Sequence, residues 1–178
     1  MSSSAATAVL GDLSRVRDWQ QDLYRDIHQH PELSHQEHRT AGLVADRLRE
    51  HGFTVHEGIG GAGVVGVLRN GDGPAVLLSA DMDALPVAEA TGLPYASTVR
   101  ATDKDGDDVP VMHACGHDVH VVCLLGAAAL LAAGTDHWSG TVVAVFQPAE
   151  EAGDGARAMV GDSLAHVVPT VSYTHLTL

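Results

Sequence analysis

Residues 141–146 (TVVAVF) form an apolar run with no polar face, in which β-branched side chains dominate and hydrophobic and polar positions do not alternate. A strand of this kind is buried on both faces, so layers must cover it from above and below. Around it the chain reads as helix, helix, strands, helix, strand, helix, the order of an α/β sandwich with a central mixed sheet flanked by helices. No internal repeat and no interdomain linker interrupts the 178 residues, and one domain is the natural reading at this length.

The flanking elements follow from periodicity. Leu13, Val16, Trp19, Leu23 and Ile27 recur at three and four, which predicts a helix over residues 12–29 with one buried stripe. His30-Pro31 ends it, because the residue before a proline is pushed out of the helical region. Ser34 stands three before Glu37, the spacing of a capping box, and predicts a second helix running through Leu43, Val44 and Leu48 to Gly52. Short strands are expected over 53–57, 64–68 and 75–80, the last two able to pair as a hairpin across 70–73. Residues 98–108 read as an exposed loop, 117–133 as an apolar helix closed by Gly134, and 1–11 as a flexible N-terminus.

Charge and composition narrow the function. Ten Lys and Arg against 23 Asp and Glu leave a net charge of −13, and no basic run offers counterion release to a polyanion, so no nucleic-acid partner is expected. No apolar stretch reaches the roughly 20 residues that span a bilayer, and residues 1–7 carry neither the basic nor the apolar part of a signal peptide. A cytoplasmic protein without a membrane partner is expected. The two cysteines, Cys115 and Cys123, are expected to stay reduced, Cys123 as a small buried hydrophobe inside the apolar helix.

Three polar clusters lie at strand ends, where open α/β sheets bind ligands. Asp81 and Asp83 follow the strand 75–80; two carboxylates so spaced can hold a metal, orient a metal-bound histidine, or simply cap loop amides. Residues 112–120 (MHACGHDVH) pack three histidines, a cysteine and an aspartate together, and Gly116 lets the backbone bend so that Cys115 and His117 face one divalent ion. Glu150 and Glu151 follow the buried strand in an irregular segment, where one carboxylate can bind metal while its neighbour moves protons; such pairs also occur simply at helix starts. Together these groups are the equipment of metal-assisted hydrolysis, with one ion or a pair about 3.5–4 Å apart. Residues 30–34 (HPELS) are assigned to structure, as a helix break and cap.

With these residues assembled, the sequence resembles the metal-dependent amidohydrolases of the aminoacylase/carboxypeptidase type, in the branch that cleaves amino-acid conjugates such as hippurate, N-acyl amino acids and auxin conjugates. The matching stretches are HPELSHQE (30–37), SADMDALP (79–86), MHACGHDVH (112–120) and FQPAEE (146–151), in order and at matching spacing. The resemblance implies the N-terminal part of a zinc-peptidase-like catalytic domain over residues 12–170, with a smaller inserted domain, used for dimerisation and substrate binding, lying beyond it. It implies two divalent ions (Mn, Zn, Ni or Co) and a small N-acyl amino acid as substrate. Cys115 and His117 then resemble metal ligands, Glu151 the carboxylate ligand of the second ion, Glu150 the general acid/base, and Asp83 the supporting carboxylate. Ser79 stands where the family more usually has Arg.

Two further histidine ligands of the family belong beyond residue 170, so the chain alone is expected to be inactive. Residues 171–178 (VSYTHLTL) resemble the translation of a transposase adapter and are expected to be a non-native tail; His175 therefore receives no role. Two rival expectations stand beside the hydrolase: a module that holds a single ion for structure without turnover, and a truncation product that does not fold.

Overall fold

The computed structural model describes residues 2–168. Its elements, in chain order, are α1 (Ser2–Leu10), α2 (Leu13–Gln29), α3 (His38–Glu50), β1 (Thr54–Ile59), β2 (Gly63–Asn70), β3 (Ala75–Asp81), β4 (Arg100–Thr102), β5 (Asp108–Pro110), α4 (His117–Ala133), β6 (Gly140–Gln147), α5 (Gly155–Asp162) and α6 (Leu164–Val167). Four strands form a mixed sheet in the order β1-β2-β6-β3, and β4 and β5 pair separately as a short ribbon. The expected α/β class is the one observed.

The apolar run of β6 takes an interior position in the sheet, as its lack of a polar face requires. Alternate residues then serve opposite layers. Val142, Ala144 and Phe146 pack with Leu23 and Ile27 of α2, Val44 and Leu48 of α3, and Val121 and Leu125 of α4. Val143 and Val145 face the other way, with Val65, Val67, Ile59 and Met159 of α5. Phe146, Val143 and Leu125 are fully buried.

The hairpin expected between β2 and β3 does not form, because β6 lies between them. It runs antiparallel to β2, pairing Phe146 with Val64, and parallel to β3, pairing Thr141 with Ala75 and Gln147 with Asp81. The 70–73 turn is held by other contacts: the Asn70 side-chain amide donates to the carbonyls of Thr135 at 2.7 Å and Trp138 at 2.6 Å, in the segment that leads into β6. Gly140, at φ 123°, lies so close to the Pro74 carbonyl that no side chain fits there. These contacts seat β6 beside both strands, while β1 supplies the hairpin partner of β2.

Residues 2–10 form a helix, and Val9 packs on Val16, Ala129 and Leu130. Three more expectations are corrected. Cys123 is exposed, since it lies on the α4 face beside edge strand β3 that no described element covers; Val119 and Val76 share that exposure at 43% and 52%. The Ser34–Glu37 capping box is absent. The amides of Arg39 and Thr40 that open α3 are instead accepted by the Glu32 carboxylate, each at 2.8 Å, so a residue further upstream satisfies the donors that every helix start leaves free. The segment expected as a loop over 98–108 is exposed but ordered as the β4–β5 ribbon, its tip closed by amides of Asp105 and Asp107 donating to Asp103. The adapter-like tail and His175 lie outside the described residues. Among the described residues no helix is long and apolar enough to cross a membrane.

Truncating Phe146 to Ala is expected to cost about 3–5 kcal/mol in urea unfolding, whereas Val76→Ala, at the exposed edge, is expected to cost less than about 1 kcal/mol. Similar losses at both positions would contradict the central placement of β6.

Candidate metal centre

Because β3 and β6 are parallel and in register to their last residues, their carboxyl ends leave the sheet side by side. The Met82 amide donates to the Gln147 carbonyl at 3.0 Å and extends that pairing one step past Asp81. Asp81 and Asp83 therefore emerge beside the turn of Glu150 and Glu151, although 68 residues separate Asp83 from Glu151 in sequence. Helix α4 brings the third cluster, since it begins at His117 directly after Gly116. Gly116 sits at φ 79° with open space around it, so it is needed for its backbone conformation rather than for room.

His117 is buried, and its two ring nitrogens have different surroundings. Nδ1 lies 2.9 Å from the Asp83 carbonyl and 3.2 Å from Asp83 Oδ1, both acceptors only, so Nδ1 is the donor. Nε2 points to the opening between the clusters, 3.8 Å from Glu150 Oε2 and 4.0 Å from Asp81 Oδ2. Hydrogen bonding to the Asp83 carboxylate outweighs burial and pushes the His117 pKa up to about 9. Burial alone would raise Asp83, but the bonds from His117, from Ser34 Oγ at 2.7 Å and from the Glu151 amide at 2.9 Å hold its carboxyl below the usual range.

Ligand atoms of His117, Glu150 and Glu151 lie within 4.8 Å of one another, close enough for one ion. The Glu150 side chain is 49% exposed, while Glu151 is more buried and tethered through its amide. Cys115 is exposed, and the neighbouring Glu151 carboxylate pushes its thiol pKa up. Asp83, Cys115, His117, Glu150 and Glu151 all lie at this end of the sheet, but among the described residues the groups whose ligand atoms approach within 4.8 Å of one another do not include Cys115. Cys123 stands apart from them, along α4.

Several residues of the centre received no individual role from the sequence. Asp81 and His120 form a second group with His117, with ligand atoms again within 4.8 Å. Their signal exists, since His117 and His120 are three apart on one helix and share a face. Ser34 and Glu37 belong here too, although HPELS reads as a structural break. Behind the centre His28 bridges two carboxylates, with Nδ1 2.6 Å from Asp118 Oδ2 and Nε2 3.2 Å from Glu89 Oε1. Its partners lie 90 and 61 residues away, beyond any local pattern. His113 is buried without a hydrogen-bond partner, and desolvation lowers its pKa to about 4.

The donors fit a divalent transition ion. Imidazole and carboxylate ligand atoms converge, and the histidine has its second nitrogen fixed by the Asp83 carbonyl with the Asp83 carboxylate beside it, the kind of backing that metal-ligating histidines commonly have.

A sequence model of peptidase family M20/M25/M40 matches residues 77–174. Thermostable carboxypeptidase 1 of Saccharolobus solfataricus is 44% identical over 170 residues, covering 93% of this chain and 41% of that protein. Hippurate hydrolase of Campylobacter jejuni is 47% identical over 155 residues, covering 86% of this chain and 36% of that protein. The crystal structure of the Bacillus subtilis YXEP protein, described as a dinuclear metal-binding peptidase of the M20 family, superposes with a TM-score of 0.76 at 36% identity, over 87% of this chain and 41% of its own. The chain thus spans about two fifths of the length of these proteins.

In the metal-free chain the His117 ring is expected to titrate near pH 9 by NMR and to fall back toward 6.5 in Asp83→Asn. Because the folded value is raised, the pair stabilises fully below about pH 6.5 and loses that contribution as pH rises through about 9. A wild-type ring titrating at 6.5 would exclude the charged pair.

Proposed function

The chain belongs to peptidase family M20/M25/M40, and from that premise we propose that residues 12–170 form part of the catalytic domain of an amidohydrolase that cleaves small N-acyl amino acids. The convergence of His117, Glu150 and Glu151 at the adjoining carboxyl ends of β3 and β6 carries this reading. The hippurate hydrolase likeness supports a substrate in which an acyl group is joined to an amino acid by an amide.

In this reading Cys115, His117 and Glu151 hold divalent metal, with Mn, Zn, Ni or Co all compatible with the donors and two ions in the complete site. When bound, such an ion lowers the pKa of water and polarises a carbonyl oxygen. Asp83 keeps the imidazole in one tautomer, its backbone carbonyl accepting from Nδ1, so that Nε2 is the ligating atom. Glu150, more exposed than its neighbour and beside His117, takes a proton from the attacking water and returns it to the leaving nitrogen. His117 and Cys115 both hold protons more firmly than usual in the metal-free chain, so metal uptake displaces protons and tightens as pH rises toward 9. In this reading the complete protein carries further ligands of the family and works as a cytoplasmic homo-oligomer.

The test uses N-benzoylglycine and a form of the protein extended to the length of its relatives. Glu150→Gln is expected to lower turnover by about 100-fold or more while keeping its metal content, and Glu151→Gln is expected to lose metal. Turnover unaffected by Glu150→Gln overturns the assignment.

A further inference from the structure

Glu37 is one of the least expected side chains in the molecule. Its carboxyl is completely buried. Oε1 accepts the Ala149 amide at 2.7 Å, across 112 residues, and Oε2 has no hydrogen-bond partner. Ala149 has φ 50°, and only one other non-glycine described residue, His35 at φ 67°, has positive φ. An alanine in the left-handed region is held there against its own preference, and Ala149 directly precedes Glu150 and Glu151.

Three residues before Glu37, Ser34 donates from Oγ to Asp83 Oδ2 at 2.7 Å, the same oxygen that accepts the Glu151 amide. The intervening backbone is docked as well, since Leu33 bridges to Ala84 and the Ala84 amide donates to the Glu32 carbonyl at 2.8 Å. One segment thus touches the chain just beyond both parallel strands. We propose that Ser34 and Glu37 are positioning residues, which fix Asp83 and the strained Ala149 turn so that His117, Glu150 and Glu151 keep a geometry suited to metal.

The proposal rests on the metal site described above and makes one further claim, that Glu37 acts as a hydrogen-bond acceptor for the Ala149 amide. Glu37→Met keeps the length of the side chain but cannot accept, whereas Glu37→Gln keeps an acceptor oxygen and loses the charge. The 178-residue chain is titrated with Co2+, followed by visible absorption, and amide exchange is measured by mass spectrometry over residues 147–155 without metal. Glu37→Met is expected to weaken Co2+ binding about 10- to 100-fold and to speed exchange in that peptide but not in α2 or α4. Glu37→Gln is expected to stay within about threefold of wild type, and Ala149→Gly, which removes the strain, to recover part of the loss in Glu37→Met.

Wild-type behaviour of Glu37→Met in both measurements overturns the proposal, and so does a loss in Glu37→Gln as large as in Glu37→Met. Should Glu37→Met lack a cooperative thermal melt, Ser34→Ala decides: Co2+ binding weakened severalfold with an unchanged melt supports the positioning role, and unchanged binding overturns it. His117→Asn separates the two readings. If Co2+ uptake is indifferent to it, the metal assignment fails, and the hold of Glu37 on the turn is then judged by amide exchange alone.

Discussion

The parallel pairing of β3 with β6 is the constraint on which the rest depends. A parallel pair ends with both chains at the same edge of the sheet, so whatever follows the two strands is brought together without further contrivance. Here that places Asp83 against the amide of Glu151 and both against the first turn of α4. Had β3 paired with β2 as a hairpin, no parallel register with β6 would have set these two strand ends side by side.

Collecting acidic groups at one point has an electrostatic cost, and Asp83 shows how it is met. A buried carboxylate is tolerated when its oxygens are hydrogen-bonded and an opposite charge lies near. Ser34 and the Glu151 amide donate to Oδ2, and the His117 ring, 3.2 Å from Oδ1, supplies the opposite charge. The same contacts point His117 Nε2 toward the remaining carboxylates. Stabilisation of the fold and preparation of the centre are therefore one set of interactions. His28, between Asp118 and Glu89, repeats the arrangement one layer behind.

Much of this was legible from residue order. Helix α4 begins and ends where its apolar run and Gly134 indicate, and α2 stops before Pro31 as predicted. The histidine and glutamates singled out by chemistry lie within 4.8 Å of one another, whereas Cys115 stays outside that group. The errors share a cause. The Ser34–Glu37 spacing satisfies a local rule for capping, yet both side chains are used by partners 49 and 112 residues away. The β2–β3 hairpin has good turn residues, but Asn70 bonds to the approach of β6 instead. Cys123 has apolar neighbours in sequence but lies on the uncovered side of its helix.

Sequence alone determined the class of the fold, the ends of the apolar helix α4 and the chemical identity of the polar groups at the strand ends, because hydrophobic periodicity and donor type are properties of short segments. Tertiary structure decided strand order, the tautomer-fixing bond of Asp83 to His117, and the use of Glu37 as a buried acceptor rather than a cap. Each of those depends on which distant amide or carboxylate lies within hydrogen-bonding reach, and that distance exists only once β6 has been seated between β2 and β3.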